Sequence, residues 1–422
     1  MNMGDDMIVL LDSAEIIGVV RRTLSKIDPR LVDHGERVAY IARHIFDECP
    51  DRAELDLSRL LLLCLLHDVG AYKTNEIDDM VRFETERPFD HSLFGYLFLK
   101  YTTHLSDYAE ALLYHHTDYA LLPERESECS RYAQLIFLAD RADILLHSDK
   151  PALDVIEGLA GGRFNPVYVE AMLRAQAKTD FAGLIRSGAY RDGMSALLGL
   201  LRISRGEIMD YLKLLVYAID FRSPYTVTHT ADTTIIAMET GRLLGLGEHD
   251  MQALYIGAFL HDVGKIAIPH AILDKPGRLT PEEYEIVKRH LPEGEAILRG
   301  VVSDEICDIA LRHHEKLDGS GYSRGLTASE LTMPQRIVAV ADILSALSQA
   351  RPYKPPYPKE RVVSIQTDMR DAGQLCPQVV GTVCAHYDLI LENTRVSHDP
   401  VRALYNNLLR EYAERTAATE RG

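Results

Sequence analysis

The sequence contains no tryptophan, no CxxC pair and no apolar run long enough to cross a bilayer. Its longest apolar stretch, Leu60–Leu66, is far shorter than the ~20 residues that a transmembrane helix needs. Six cysteines without paired spacing indicate free thiols in a reducing compartment rather than a disulfide scaffold. The acidic N-terminus lacks the basic start of a signal peptide. We therefore predict a cytoplasmic protein that does not bind a membrane.

Basic residues are also scarce, with 46 Lys and Arg against 63 Asp and Glu and a formal net charge of −17. This charge repels long polyanions, so we expect no polymeric nucleic acid as a partner. A small phosphorylated ligand stays compatible with the charge if its pocket is locally basic. The length of 422 residues and the hydrophobic fraction of 46% predict two or three folded domains and exclude wholesale disorder.

Apolar residues recur at helical spacing over residues 31–46, 59–67 and 206–219, whereas alternating apolar and polar runs are scarce. One helix start is marked by Thr280, which can cap, by Pro281 in the first turn and by Glu283, which closes a capping box. The sequence therefore predicts an all-α fold without a sheet of any size.

Ten of the 17 histidines, together with four aspartates, form a pattern that occurs twice, in the same order, at offsets of 194 to 202 residues. The first copy comprises His34, His67, Asp68, His91, His115, His116 and Asp140, and the second comprises His229, His261, Asp262, His290, His313, His314 and Asp342. Such a long-period repeat indicates duplicated units. We predict two tandem homologous helical domains, residues 1–204 and 205–422.

Neutral imidazole and carboxylate together suit divalent iron, manganese or zinc. In the second copy Asp262 can bridge two ions through its two oxygens. One ion would then be held by His229, His261 and Asp342, and the other by His290, His313 and His314. Two ions about 3.5–4 Å apart can activate a water and stabilise both the attacking and the leaving oxygen of a phosphoryl displacement. The pattern therefore predicts a dinuclear hydrolase.

Two longer motifs resemble a known family. The run His261-Asp262-Val263-Gly264-Lys265 is similar to the HDxGK signature of the HD phosphohydrolase superfamily. His313-His314-Glu315, followed by Asp318-Gly319-Ser320-Gly321-Tyr322, resembles the HHE…DGxGYP signature of the HD-GYP subfamily, and the resemblance covers about residues 206–391. It implies an all-helical fold, a bi- or trinuclear iron or manganese site, and hydrolysis of cyclic dinucleotides, usually cyclic di-GMP, in bacterial signalling.

The resemblance also implies roles for single residues. The metal ligands would be His229, His261, Asp262, His290, His313, His314 and Asp342. Lys265 would give a proton or a positive charge to the leaving oxygen, and Tyr322, Arg351 and Lys354 would bind the substrate. The resulting hypothesis is a metal-dependent phosphodiesterase in which a metal-bound hydroxide attacks phosphorus, with Asp262 and Lys265 as its catalytic residues.

Three positions depart from the family pattern. Trinuclear members carry Glu four residues before the first histidine, where this chain has Tyr225, so we predict two ions. Ser323 replaces the proline of the GYP triad, which loosens the loop without removing the tyrosine. Asp232 and Thr233 follow His229 where the family usually has an arginine.

The first copy retains every histidine and aspartate of the set, so His34, His67, Asp68, His91, His115, His116 and Asp140 form a second candidate metal site. Ala71 stands where the second copy has Lys265, and the acidic segment 124–128 follows in place of a Gly-rich loop. Acidic residues repel an anionic ligand. We favour a regulatory or dimerising role for this half over catalysis, and a homodimer stays open.

Alternatives remain for the substrate and for the class of function. Cyclic GMP-AMP is not distinguished from cyclic di-GMP by cations that bind phosphate. Other HD proteins cleave guanosine tetraphosphate, deoxynucleotide triphosphates or cyclic mononucleotides, although the GYP loop argues against these substrates. A non-catalytic sensor of cyclic dinucleotides is the alternative from another class.

Overall fold

The computed structural model describes residues 10–26, 33–73, 89–148, 150–201, 203–221, 226–273, 275, 277–349 and 356–419. Throughout this part the regular elements are α-helices and 3-10 helices, accompanied by three isolated β-bridges and no strand. The prediction of an all-α fold is confirmed. None of the helices in the described ranges is long and apolar enough to span a membrane.

The chain divides into two compact units. The C-terminal unit is built mainly from Leu215–Leu409, and the N-terminal unit is built from Ile16–Leu214 together with the segment that begins at Arg410. The long helix Tyr387–Thr419 therefore contributes residues to both units. In the N-terminal unit, Tyr412 of this helix stacks on Phe94, with ring centroids 4.3 Å apart.

The helices of the N-terminal unit begin with Ser13–Leu24, which is apolar on one side. The α-helices that follow within residues 33–73 and 89–201 are His34–Glu48, Leu57–Leu66, Phe89–Thr102, Ala109–Leu113, Glu128–Leu146, Ala152–Glu157, Pro166–Thr179, Phe181–Ser187 and Tyr190–Leu198. The helix Glu128–Leu146 lies at the centre of the unit, because most of its side chains are buried.

The C-terminal unit repeats this order. The helix Arg205–Asp220 leads into it, and it contains the α-helices His229–Leu244, Glu248–Leu260, His270–Leu273, Pro281–Lys288, His290–Leu298, Asp304–Leu311, Met333–Ser348, Lys359–Asp371 and Pro377–Ala385. Its central helix is Met333–Ser348, which is the counterpart of Glu128–Leu146. The capping box predicted at Thr280 is present, with Thr280 and Glu283 bonded reciprocally.

A pair of glycines in each unit allows two elements of the site to approach closely. Gly264 belongs to the 3-10 turn Val263–Ala267, and a Cβ at this position would collide with the carbonyl oxygen of His290 and with the backbone of Gly294. Gly70 has the same relation to His91 and Gly95 in the N-terminal unit. The glycine that follows each His-Asp pair thus brings that pair against the helix that carries the next histidine.

Candidate metal centre

The predicted site residues of the C-terminal unit lie at helix ends. His229 and His290 are the first residues of their helices, and His261 directly follows Leu260, the last residue of its helix. His313 and His314 come just after the helix Asp304–Leu311. Asp342 is different, because it lies inside the central helix Met333–Ser348.

Backbone hydrogen bonds fix the orientation of three of these imidazoles. The Nδ1 atoms of His261, His290 and His313 donate to the carbonyl oxygens three residues earlier, at 2.7 to 2.8 Å. A donating Nδ1–H leaves the lone pair on Nε2, which is the form that binds metals. The Nε2 atom of His261 is buried and has no hydrogen-bond partner. A buried polar atom without a partner is costly, so it indicates a missing ligand.

Asp262 lies between two pairs of histidines. Its Oδ2 is 3.2 Å from Nε2 of His261 and 3.5 Å from Nε2 of His229. Its Oδ1 is 3.9 Å from Nε2 of both His290 and His313. The two carboxylate oxygens therefore face different imidazole pairs, which is the arrangement that a carboxylate needs in order to bridge two cations.

The remaining members complete the two groups. Asp342 Oδ1 is 3.2 Å from Nε2 of His229, and its Oδ2 is 3.8 Å from Nδ1 of His314. The Nε2 atoms of His290 and His313 are 3.4 Å apart. Both nitrogens carry lone pairs, which repel each other at this distance. A cation bound between them would replace this repulsion with two coordination bonds. The structure thus brings together all seven predicted ligands of this unit.

Burial and neighbouring charges shift the pKa values of the clustered side chains. Despite burial, His261 and Lys265 keep the pKa of Asp262 well below its ordinary value. Burial, with help from other imidazoles, lowers the pKa of His313, and burial lowers that of His314 to about 4. Burial also opposes protonation of His229, but Asp262 and Asp342 outweigh it and raise its pKa to about 9.

Lys265 and Tyr322 adjoin the cluster. The ammonium of Lys265 forms an ion pair with Oδ2 of Asp262. The ring of Tyr322 stacks on His314, with centroids 4.7 Å apart, and its backbone N–H donates to the carbonyl oxygen of His314. Burial and the neighbouring Tyr284 raise the pKa of Tyr322, so its hydroxyl stays a neutral donor. A lysine and a tyrosine therefore line the same centre as the predicted ligands.

The loop that carries Tyr322 is anchored by Glu315, a residue for which the sequence indicated no separate role. The buried carboxylate of Glu315 accepts hydrogen bonds from the backbone N–H groups of Arg324, at 2.6 Å, and Leu326, at 3.0 Å. A Cβ at Gly321 would lie 2.5 Å from the Cα of Glu315, so only glycine allows the loop to pass this close. These contacts give a physical reason for the glutamate and the second glycine of the motif.

Several other positions of the family pattern either lie outside the described residues or have surroundings that differ from the pattern. Arg351, Lys354 and Tyr225 lie outside the described residues. Asp232 is buried and accepts a hydrogen bond from Gln349, while Nδ1 of His229 meets the hydroxyl of Ser345 at 3.0 Å. A hydroxyl and an amide thus stand behind the first histidine in place of the arginine that the family pattern predicts.

The N-terminal unit repeats the bridging geometry. Asp68 Oδ2 is 3.2 Å from Nε2 of His67 and 3.8 Å from that of His34. Its Oδ1 is 3.8 Å from Nε2 of His91 and 4.0 Å from that of His115. The Nε2 atoms of His67 and His115 are buried without a hydrogen-bond partner. All four imidazoles face the same aspartate, as they do in the C-terminal unit.

The last two predicted members are also present in this second cluster. Nε2 of His116 is 3.0 Å from Nε2 of His91, and Asp140 Oδ1 is 3.2 Å from Nε2 of His34. Within each unit, groups of three or four of these ligands have donor atoms close enough together to hold a metal ion. The residues of both units therefore fit a pair of divalent cations.

The surroundings of the N-terminal cluster differ. The guanidinium of Arg141 donates to Oδ2 of Asp140 through Nε at 2.9 Å and Nη2 at 2.7 Å, and both side chains are buried. The Nδ1 atom of His34 contacts Asp143 at 2.7 Å, and Asp143 is paired with Arg37. Ile343 and Ser345 stand at the equivalent positions of the C-terminal unit. One aspartate of the N-terminal set is therefore already neutralised by a cation.

Helical units whose histidines and aspartates meet in this way define the class of HD-domain proteins. Two segments match family models described as HD domain, residues 31–145 and residues 213–378. The chain belongs to the HD-domain family, with two HD domains in tandem and homology to HD-GYP proteins. The HD domain is a hydrolase domain, so the chain is an enzyme.

Curated relatives match either most of the chain or a part of it. A protein of Vibrio cholerae named 3'3'-cGAMP-specific phosphodiesterase 1 is 29% identical over 89% of this chain and 90% of its own length. The cyclic di-GMP phosphodiesterase response regulator RpfG of Xanthomonas campestris is 43% identical over 34% of this chain and 39% of its own length.

One solved structure shares the fold of most of the chain. A crystal structure of a cyclic GMP-AMP specific phosphodiesterase of V. cholerae, V-cGAP3, aligns with a TM-score of 0.57 and 20% identity. The alignment covers 89% of this chain and 98% of that chain. At this identity the match concerns the fold alone.

Proposed function

We propose that the C-terminal unit hydrolyses a phosphodiester bond of a cyclic dinucleotide. The observation that carries the proposal is the position of Asp262, whose two oxygens face separate pairs of buried imidazoles. A carboxylate between two ligand pairs is suited to a dinuclear centre that acts on phosphorus. The homology to HD-GYP proteins supports the same reaction class.

The ligands that we assign to two divalent ions are His229, His261, Asp262, His290, His313, His314 and Asp342. Iron and manganese are the metals that we propose, because the resemblance to the HD-GYP subfamily implies them and the mixture of imidazole and carboxylate is compatible with both. When bound, such ions lower the pKa of a water and neutralise charge that develops on the phosphoryl oxygens. The protein contributes the oriented Nε2 atoms, which the backbone hydrogen bonds hold in the ligating form.

Other side chains would act on the substrate. Lys265 would stabilise or protonate the leaving 3'-oxygen, because its ammonium already lies against Asp262. Tyr322 would donate its hydroxyl proton to a substrate oxygen, since burial keeps it neutral. Arg351 and Lys354 are proposed to hold the phosphates, on the resemblance alone. General acid catalysis of this kind typically contributes 10²- to 10⁴-fold.

The substrate class is proposed from the relatives. The relative that aligns along 89% of the chain is named for 3'3'-cGAMP, whereas two more identical relatives that match 34% and 36% of the chain are named for cyclic di-GMP. Because a relative that spans both halves of this chain is named for 3'3'-cGAMP, we propose 3'3'-cGAMP as the preferred substrate and cyclic di-GMP as the second one.

We also propose that the N-terminal unit binds divalent metal without carrying out the same reaction. The clustered ligands of this unit support metal binding. The absence of the same reaction is proposed because Ala71 stands at the position of Lys265 and because Arg141 is buried against Asp140. The unit would then have a regulatory or structural role.

The test compares matched variants of the full-length protein. The wild type, Asp262→Asn and Asp68→Asn are loaded anaerobically with iron or manganese and incubated with 3'3'-cGAMP, cyclic di-GMP and a cyclic mononucleotide, and products are separated by chromatography. We expect turnover of a cyclic dinucleotide by the wild type and by Asp68→Asn. We expect a loss of at least 10³-fold in Asp262→Asn, because the centre loses its bridging carboxylate.

Two results would contradict the proposal. Equal turnover by Asp262→Asn and the wild type would remove the C-terminal centre from the reaction. Tight binding of cyclic dinucleotides without any turnover by the metal-loaded wild type would favour a sensor.

A further inference from the structure

An aromatic and a basic side chain flank the C-terminal centre on the helix Pro281–Lys288. Tyr284 is 43% exposed, and its ring meets that of Tyr322 edge-on, with centroids 6.2 Å apart. The ammonium of Lys288, one helical turn later, lies 4.7 Å from the centroid of Tyr284 and 5.3 Å from that of Tyr322. Neither residue belongs to the HDxGK or the HHE…DGxGYP motif.

These side chains continue a row of rings that starts at the metal ligands. Tyr322 stacks on His314, at an interplanar angle of 27°, and the ring of Tyr284 meets that of Tyr322 edge-on. A ligand whose phosphate lies at the histidines would therefore have its neighbouring base within reach of Tyr284. We refer to Tyr284 and Lys288 as the aromatic shelf.

The chemistry of the shelf suits a nucleotide. Exposed aromatic rings bind bases by stacking, and a cation beside the ring adds attraction to the base and to a phosphate. Lys288 is paired with Glu285 at 2.6 Å, but Glu285 is mostly exposed. Exposed ion pairs contribute little stability, so a phosphate can displace this carboxylate. A local cation also offsets the negative charge of the chain.

We propose that Tyr284 and Lys288 form a nucleobase-binding subsite that helps to determine which cyclic dinucleotide the centre accepts. The proposal rests on the proposed function, since it assigns a base of the same substrate to the shelf. Tyr284 stacks on the base, and Lys288 fixes the ring of Tyr284 and contacts the adjoining phosphate.

The experiment uses full-length, metal-loaded protein with Tyr284→Ala, Tyr284→Phe and Lys288→Ala. Kinetics are measured with 3'3'-cGAMP, with cyclic di-GMP and with bis(p-nitrophenyl) phosphate, a phosphodiester without a nucleobase. Tyr119→Ala is the matched control, because Tyr119 also has a cation near its ring, Arg125 at 5.2 Å, but belongs to the N-terminal unit. Metal content is measured for every variant.

The expected result is a selective loss. Stacking of one base corresponds to roughly a 5- to 150-fold effect. Tyr284→Ala should therefore lower kcat/KM for the cyclic dinucleotide at least fivefold more than for bis(p-nitrophenyl) phosphate, mainly through KM. Tyr284→Phe should retain most of the wild-type value, because it keeps the ring. Lys288→Ala should show an intermediate loss, and the ratio between the two cyclic dinucleotides should change in Tyr284→Ala.

Other outcomes overturn the inference. Equal losses for both kinds of substrate in Tyr284→Ala, or a loss of metal, would mean that Tyr284 only supports Tyr322 and His314. An unchanged KM would mean that the shelf contacts no base. If the wild type hydrolyses no cyclic dinucleotide, the proposed function fails. The shelf is then judged by equilibrium binding of a fluorescent cyclic dinucleotide, which Tyr284→Ala must weaken at least fivefold.

Discussion

The two HD domains of this chain have the same set of seven histidines and aspartates but different cations beside it. In the C-terminal unit, Lys265 is paired with Asp262, the aspartate between the histidine pairs. In the N-terminal unit that position is Ala71, and the cation is Arg141, which is paired with Asp140 and only 2% exposed. A buried guanidinium that is paired with an aspartate cannot move to contact a substrate oxygen, whereas a partly exposed lysine can.

This difference shows that a ligand set does not by itself define an active site. Both units orient their imidazoles through backbone carbonyl groups and direct unpartnered Nε2 atoms inward. Within the residues that the structure describes, the C-terminal unit alone adds the loop anchored by Glu315 and the row of rings from His314 to Tyr284. Among the described residues, the candidate ligand set occurs in both units, whereas the groups that we propose to bind the substrate lie in the C-terminal unit.

After loss of the bridging aspartate, removal of Lys265 should cause the largest loss of activity in the C-terminal unit. Lys265→Ala should lower kcat about 10²-fold, because in the proposed mechanism the leaving oxygen loses its cationic partner. The reverse change, Ala71→Lys, should not make the N-terminal unit active, which is measured in the Asp262→Asn background. Full activity of Lys265→Ala would contradict the role assigned to this lysine.

Loss of the buried arginine should destabilise the N-terminal unit. Arg141→Leu leaves Asp140 buried without its cation, and breaking a buried ion pair costs about 3–5 kcal/mol of unfolding free energy. Denaturant unfolding of the metal-free protein measures this loss. Ile343→Leu, at the equivalent C-terminal position, is the control and should cost less than about 1.5 kcal/mol. Equal stability of Arg141→Leu and the wild type would show that this ion pair is unimportant.

Glu315, which anchors the loop that carries Tyr322, should contribute both to the stability of the protein and to substrate binding. Glu315→Ala leaves the backbone N–H groups of Arg324 and Leu326 without their acceptor, at a cost of about 1–3 kcal/mol. We expect a lower melting temperature and about a tenfold lower kcat/KM for the cyclic dinucleotide. Ser320→Ala in the same loop keeps both bonds and serves as the control. A normal kcat/KM in Glu315→Ala would show that the loop does not contribute to substrate binding.

A smaller effect concerns the acid stability of the N-terminal unit. Despite partial burial, hydrogen bonds from Lys100, Tyr101 and Arg415 lower the pKa of Glu411 to about 2 in the N-terminal unit. A lowered folded-state pKa stabilises the protein above the unfolded value near 4.5, and this contribution disappears as the pH falls towards 2.

Glu411→Gln is the variant that tests this effect. It should lose about 1 kcal/mol at neutral pH, allowing for screening by solvent, and should lose less further stability than the wild type between pH 4.5 and 2. Unfolding curves at several pH values measure the difference. Parallel pH profiles of the two proteins would contradict it.

The fold class and the two ligand sets could be predicted from the sequence because they depend on local patterns. Helical spacing of apolar residues predicted the helices, and the repeated order of histidines predicted two equivalent clusters. His261 and Asp262 are adjacent in the chain, so their joint position in the site follows from connectivity.

Other features depend on contacts between distant segments and have no local signal. The pairing of Arg141 with Asp140 could have been suspected from their adjacency, but its burial could not. Tyr284 lies 38 residues before Tyr322, and no motif connects them. Likewise, the contact between Glu411 and Lys100 joins segments 311 residues apart, which no pattern of charges predicts.

The central claim is that the imidazoles and carboxylates of the C-terminal unit hold two cations, one on each side of Asp262. Anomalous diffraction from crystals grown anaerobically with iron or manganese tests it most directly. Two peaks about 3.5–4 Å apart, one next to His229 and His261 and one next to His290 and His313, are the predicted result. Crystals with full metal content and no peak at Asp262 would contradict it.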